Sequence, residues 1–254
     1  MVPHFLIIGA QRCGTSSLYE NIIQHPNVIS ASTKEVHFFD INYAKGLLWY
    51  ETNFKEYEEK KSKDEFFITG EATPYYLFHP LVPQRIAKVL PKVKLIVLLR
   101  NPVNRAYSHY NHEVRLNAEK LSFENAIKAE EERLSGEEKK FLENENYYSY
   151  NHQHFSYLKR GIYVDQIKKW HKFFDREQFL IINSEEFFSE PNKILTKIFD
   201  FLDLPAINQI NSKISNKENY PAMNEQMRQK LKNYFKIHNQ RLYSYLNLDF
   251  DWEN

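Results

Sequence analysis
The sequence predicts an α/β fold: one three-layer domain over residues 1–254, with a central parallel sheet and a P-loop-like turn after the first strand. Three observations carry that expectation. Short apolar runs alternate along the chain with segments of helical periodicity. One run, Val93 to Leu99 in KVKLIVLLR, is almost continuously apolar and branched, as a strand buried on both faces of a parallel sheet should be. The first run leads into GAQRCGTSS, residues 9–17, a glycine-spaced turn between strand and helix.

The elements follow in order. Phe5 to Gly9 reads as the first strand. Ser16 to His25 has helical spacing, with Leu18, Ile22 and Ile23 on one face, and Pro26 stops it. Phe66 to Thr69, before GEATP, is the second strand, Val93 to Leu99 the third and Gln178 to Ile182 the fourth. Helical segments are expected at Leu81 to Leu90, Val103 to Asn117, Ser122 to Leu134, Ile162 to Phe174 and Pro191 to Leu202. A last amphipathic helix, Asn224 to Leu246, is expected to pack across the sheet. The most polar stretch, EEERLSGEEKKFLENENYYSYNHQ at 130–153, reads as a solvated, mobile insertion reaching to about residue 155, or alternatively as a flap over an acceptor site. No internal repeat or linker divides the chain.

Composition bounds the function. With 254 residues, 42% hydrophobic and 15% aromatic, the chain can bury a sizeable core. Its formal charge of +1 gives no bulk excess for nucleic acid or an anionic membrane, so an anion site must be built locally. The single cysteine, Cys13, excludes an internal disulfide framework and a multi-cysteine metal site, and fits a reducing compartment. No stretch approaches the ~20 apolar residues that span a bilayer. The first strand begins at Phe5, which leaves no room for a leader. The expectation is a soluble, cytoplasmic protein, although an excised catalytic domain would read the same way.

Gly9 and Gly14 match the two glycines of the GxxxxG[K]S frame, but Thr15 stands where lysine would reach the β and γ phosphates. The best core strand ends in Arg100, not in a magnesium-binding aspartate. The frame alone reads equally well as an ordinary strand-to-helix turn. Context favours an anion: Thr15, Ser16 and Ser17 open the helix and Arg12 is a local cation, a set suited to a phosphate that is held and not cleaved. Cys13 reads as a small buried filler, since no partner base is evident.

LIVLLRNPVNRAYSHY places Arg100 at a strand's carboxyl end and Ser108 eight residues on, in a helix that Pro102 can start. Open α/β sheets bind ligands at that end, and the arginine fork suits phosphate; the bland reading pairs Arg100 with an acidic neighbour. Two anion sites suggest a ligand with two separated phosphates. STKEVHFFD, residues 32–40, adds Glu35 and His37, on one face if the segment is extended, with Phe38 and Phe39 as anchors. In isolation they read as a surface carboxylate and a structural histidine. Near a cation-lined cleft, such a carboxylate can take a proton from an attacking hydroxyl or amine.

Together these residues resemble the sulfotransferases that use 3′-phosphoadenosine-5′-phosphosulfate (PAPS), particularly the heparan-sulfate N- and 3-O-sulfotransferase branch and its bacterial relatives. The similarity covers most of the chain: FLIIGAQRCGTSSLYENIIQHP, KEVHFFDINYAKGLLWY, LIVLLRNPVNRAYSHY, YLKRGIYVDQIKKWHKFF, FLIINSEEFFSEPNKILTKIFDFLDL and LDFDW follow the family's order. The resemblance implies that Gln11, Arg12, Cys13, Gly14, Thr15, Ser16 and Ser17 hold the 5′-phosphosulfate and that Arg100 and Ser108 hold the 3′-phosphate. It makes Glu35 the general base with His37 beside it, Arg12 the catalytic cation, PAP the leaving group, and requires no metal.

Two departures stand out. Arg12 occupies the place of a family lysine, and Ala72 that of a lysine common in heparan-type members, which removes a cation near the reacting centre. Thr73 and Tyr75, with Glu71, are candidate cleft residues; Lys159, Arg160 and Tyr163 are candidates to face PAPS or the acceptor, a carbohydrate or small metabolite. Lys217, Asn219 and Tyr220 lie where the family closes over the nucleotide, without the glycine often found there. Trp49, Tyr50 and Phe54 read as packing aromatics. The competing readings are a non-catalytic PAP-binding module and a magnesium-dependent nucleotide kinase or triphosphatase.

Overall fold
The computed structural model describes residues 3–61, 66–207, 212 and 220–253. By its contacts the chain forms two compact units, Met1–Leu99 with Trp170–Asn216 and Arg100–Lys169 with Lys217–Asn254.

The first unit is built on a five-stranded sheet: β1 (Phe5–Gly9), β2 (Val28–Ser30), β3 (Ile68–Ala72), β4 (Lys94–Leu99) and β5 (Phe179–Asn183), in the order β2-β3-β1-β4-β5. All four pairings are parallel. Phe5 to Ile8 and Leu95 to Leu99 have no solvent exposure, so both faces of the central strands are covered. Each such side chain contributes about 1.5–3 kcal/mol by leaving water. The chain leaves β1 towards one edge and crosses from β3 to β4 on the other side, which makes the carboxyl ends of β1 and β4 the topological switch point. Gly9 and Leu99 end there.

Helix α1 (Thr15–Ile22) buries Leu18 and Ile22, four residues apart, and packs on β1 and β3. After it come α2 (Leu47–Glu51), α3 (Lys55–Lys60) and α4 (Val82–Val89), the last with Pro83 in its first turn. Tyr50 and Phe54 are core residues, as their aromatic character suggested. Two differences from the sequence reading have simple causes. β2 is a three-residue edge strand, VIS, too short for a period to show. β3 runs two to three residues later than the apolar run, because it carries Gly70 and Glu71 in its buried centre.

The second unit is helical. α5 (Pro102–Arg115) starts as expected at Pro102, with Asn101 as N-cap accepting from Val103 N–H at 3.0 Å and Asn104 N–H at 3.4 Å. α6 (Phe123–Leu134), α7 (Glu137–Glu143) and α8 (Tyr150–His154) follow, then α9 (Tyr163–Trp170), which reaches the boundary of the unit. α10 (Ser184–Ser189) and α11 (Pro191–Phe201) belong to the first unit and pack on β5; α12 (Glu225–Leu246) returns to the second. α12 packs against α5 around Val103, Met223, Leu231 and Phe235.

The polar stretch 130–153 is built into this unit and is not a solvated loop. Glu130, Leu134, Glu137, Phe141, Ser149 and His152 are buried in it. Its carboxylates serve backbone and hydroxyl groups: Glu130 accepts Leu158 N–H at 2.6 Å and Lys159 N–H at 2.8 Å, and Glu137 accepts the Tyr147 hydroxyl at 2.8 Å. Burial pushes the Glu130 carboxyl up to about 7 against those N–H donors.

Candidate active site
The phosphate-loop candidate turns directly off β1. Ala10 N–H still bonds Leu98 of β4 at 2.7 Å, and Cys13 N–H closes a turn on Ala10 at 3.2 Å. Arg12 has φ 69° and Gly14 φ 91°, both left-handed. Gly14 is the N-cap of α1 and no side chain caps that helix, so its first N–H groups point where an anion would sit. The ring of Phe188 presses on Gly14: a Cβ there would stand 2.7 Å from its Cζ. Such a glycine, a partly exposed Arg12 and an uncapped helix start fit a phosphate-bearing donor.

Cys13 is fully buried; its thiol donates to Gln11 O at 3.8 Å and its carbonyl accepts the Ser184 hydroxyl at 2.8 Å. Thr15 and Ser17 are buried, while Gln11 and Ser16 are partly exposed.

The 32–40 segment is not extended. Glu35 and His37 have φ of 54° and 53°, so turns, not strand alternation, bring them together. His37 Nε2 lies 3.4 Å from Glu35 Oε2, and Nδ1 lies 2.7 Å from Asp40 Oδ2. Asp40 was not among the sequence candidates; its signal was the three-residue spacing in HFFD. Its side chain is fully buried and also accepts Ile41 N–H at 2.7 Å. Arg85 fixes the backbone behind it through Phe39 O at 2.7 Å and Asp40 O at 3.3 Å.

Burial alone would lower the His37 pKa, but hydrogen bonds to Asp40 and Glu35 outweigh it and raise the imidazole to about 10. The ring is therefore an imidazolium at neutral pH and donates from both nitrogens. The folded value exceeds the ordinary 6.5, so the stability it adds is complete below pH 6.5 and is lost as pH rises towards about 10. Asp40→Asn is expected to bring that loss to lower pH, seen as a downward shift of the His37 titration by NMR. A His37 that still titrates near 10 in this variant would remove Asp40 from the account.

Thr73 is fully buried behind this loop, donating to Glu71 at 2.6 Å and accepting His37 N–H at 3.4 Å. Tyr75 is 4% exposed and packs edge-on to His79. Neither lies open as a cleft residue would.

In the second unit, Arg100 is partly exposed immediately before α5, and Ser108 lies buried in the helix's second turn. The Tyr163 hydroxyl donates to Arg100 O at 2.8 Å, so this buried tyrosine holds the backbone of the arginine; a buried phenol needs such an acceptor. Arg160 is 1% exposed and donates to His152 O at 3.0 Å and Gln153 O at 2.8 Å, which uses its guanidinium as a backbone clamp. Lys159 is exposed. Tyr220 stacks edge-on to Tyr107, whose hydroxyl donates to Pro221 O at 2.9 Å. Lys217 and Asn219 lie outside the described residues.

In the first unit the glycine-spaced, left-handed turn follows β1, and Glu35, His37 and Asp40 stand in one chain of polar contacts. Residues 2–254 match the sulfotransferase domain family, and the chain belongs to it: PAPS-dependent enzymes that move a sulfonate group. Its relatives include "Membrane-associated sulfotransferase kil1" of Dictyostelium discoideum, 29% identical over 100% of this chain and 67% of that protein. Heparan sulfate glucosamine 3-O-sulfotransferase 5 of Mus musculus is 31% identical over 83% of this chain. The match takes in 56% of that enzyme, so the chain spans about half the length of such relatives. A solved sulfotransferase from Alicyclobacillus acidocaldarius matches with TM-score 0.78 and 28% identity over 100% of both chains.

Proposed function
We propose that the chain transfers a sulfonate group from PAPS to a hydroxyl or amine of a carbohydrate acceptor, with Glu35 as general base. The observation that carries this reading is the Glu35, His37, Asp40 chain: an imidazolium fixed by a buried carboxylate holds a second carboxylate that is 38% exposed. The acceptor's proton passes to Glu35 as its oxygen or nitrogen bonds to sulfur, and the bond from sulfur to the departing phosphate oxygen breaks. PAPS supplies the activated sulfonate and leaves as PAP.

The 11–17 loop takes the 5′ side, with α1 N–H groups and Arg12 offsetting charge that grows on the leaving phosphate. Arg100 and Ser108 take the 3′-phosphate, and Tyr220 with Lys217 the nucleotide side. A carbohydrate acceptor is supported by the heparan sulfate named for the Mus musculus relative; Ala72, lacking the cation of heparan-type members, argues for a less anionic one. Among the described residues no helix is long and apolar enough to cross a membrane. A cytoplasmic location is part of this proposal, and fractionation against the membrane association named for kil1 decides it.

A ligand that binds the folded state raises its melting temperature by mass action, about 2.7 kcal/mol at a hundredfold excess over Kd. PAP without magnesium is expected to stabilise the protein, and ATP with or without magnesium to do less. Magnesium-dependent stabilisation by ATP, with none by PAP, would select a nucleotide kinase or triphosphatase instead.

A further inference from the structure
Glu71 is the penultimate residue of β3, opposite Leu6 of β1, with 1% of its surface exposed. A carboxylate there is costly unless it is fully hydrogen-bonded. Three hydroxyls meet it: Tyr50 at 3.1 Å and Tyr76 at 2.9 Å donate to Oε1, and Thr73 at 2.6 Å donates to Oε2.

A hydroxyl has one proton to give, so a proton committed to Glu71 turns the oxygen's lone pairs elsewhere. Those lone pairs meet the loop that carries the base. Tyr76 accepts Phe38 N–H at 2.9 Å and Phe39 N–H at 3.3 Å, and Thr73 accepts His37 N–H at 3.4 Å. Three successive N–H groups thus hang on hydroxyls aimed by one carboxylate. They begin at the left-handed His37, two residues after the left-handed Glu35.

We propose that Glu71 is a positioning residue for the Glu35–His37 pair: by accepting from Tyr76 and Thr73 it makes both hydroxyls acceptors for the 37–39 backbone, which holds the imidazolium against Glu35. This rests on the reading of Glu35 as the base. A glutamine cannot replace it, because its amide nitrogen would face one of the donors, force that hydroxyl to accept, and turn its proton towards the loop's N–H groups.

Burial pushes the Glu71 carboxyl up to about 7, against the hydroxyls of Thr73, Tyr76 and Tyr50, and the charge of Asp40 pushes the same way. Asp40, Tyr50, Tyr76 and Tyr19 are the titratable groups that interact with it. The folded value lies above the ordinary 4.5, so folding disfavours the anion, and stability falls as pH rises from 4.5 to about 7. A carboxylate retained for stability alone would not behave this way.

The test uses the full chain and three variants, Glu71→Gln, Tyr76→Phe and Thr73→Ser. It reads amide exchange at residues 37–39, melting with PAP, and PAPS turnover against N-desulfated heparan and against water from about pH 5.5 to 9. Expected are amide exchange about tenfold faster and kcat at least about tenfold lower in the first two variants, with KM for PAPS within about twofold. Thr73→Ser, which keeps the hydroxyl, is expected to keep the parental amide exchange at 37–39, and Glu71→Gln loses the ionisation near 7 from its acid limb. The proposal is overturned if amide exchange at 37–39 and kcat stay within about twofold of the parent in Tyr76→Phe, the variant that decides should Glu71→Gln not fold. Glu35→Gln in the same assay separates the two readings: a parental rate there removes the base assignment, whatever Glu71 does.

Discussion

Glu35→Gln is expected to lower sulfonate transfer by about 10²–10⁴-fold while leaving stabilisation by PAP intact. The amide matches the carboxylate in shape, and its oxygen can still accept from His37 Nε2, now 3.4 Å from Glu35. The loop geometry is therefore kept and only the capacity to take a proton is lost. Donor binding is assigned to other residues, at 11–17 and at Arg100 and Ser108, so KM for PAPS should hold and the whole effect should fall on kcat. Single-turnover transfer from labelled PAPS to N-desulfated heparan, beside melting with PAP, reads both quantities. The contrast with Asp40→Asn is diagnostic. Removing the base lowers the rate at every pH, whereas removing the partner of the imidazolium moves the pH profile. A parental transfer rate in Glu35→Gln would remove Glu35 as the general base.

Most of the sheet was legible because burial on both faces writes itself as an unbroken apolar run. KLIVLL and FLIIG could be read directly, and the glycine spacing after FLIIG placed the anion loop at β1. β3 was harder. Its buried centre holds Gly70 and Glu71, and a carboxylate satisfied by Tyr50, Thr73 and Tyr76 looks in the sequence like the end of a strand. The same blindness hid Asp40, because pairing with His37 is a matter of two left-handed residues that no hydropathy pattern announces. Nor does the chain announce that Arg160 donates to His152 O and Gln153 O, or that the Tyr163 hydroxyl donates to Arg100 O. A local motif shows in the chain; the direction of a buried polar side chain is decided by partners far away in it.

Substitutions at Gly14 are expected to remove donor binding in a graded order, asparagine being tolerated best, alanine less, and valine not at all. The backbone here has φ 91°, where an L residue is strained by about 1–2 kcal/mol, asparagine least among side chains. In a domain of this size that is a fall in melting temperature of roughly 2–8 °C. The larger consequence is local. Gly14 is the N-cap of a helix that no side chain caps, so relaxing φ towards negative values swings the first N–H groups of α1 away from the anion. Phe188 adds a second obstacle, its ring atoms lying 2.7 and 2.8 Å from the position of a Cβ. The two causes separate in the double variant Gly14→Ala/Phe188→Leu, which opens the space but leaves the dihedral demand. If the backbone argument holds, this variant regains part of its melting temperature and none of its response to PAP. Full recovery of PAP stabilisation would place the constraint in the Phe188 contact and not in the left-handed turn.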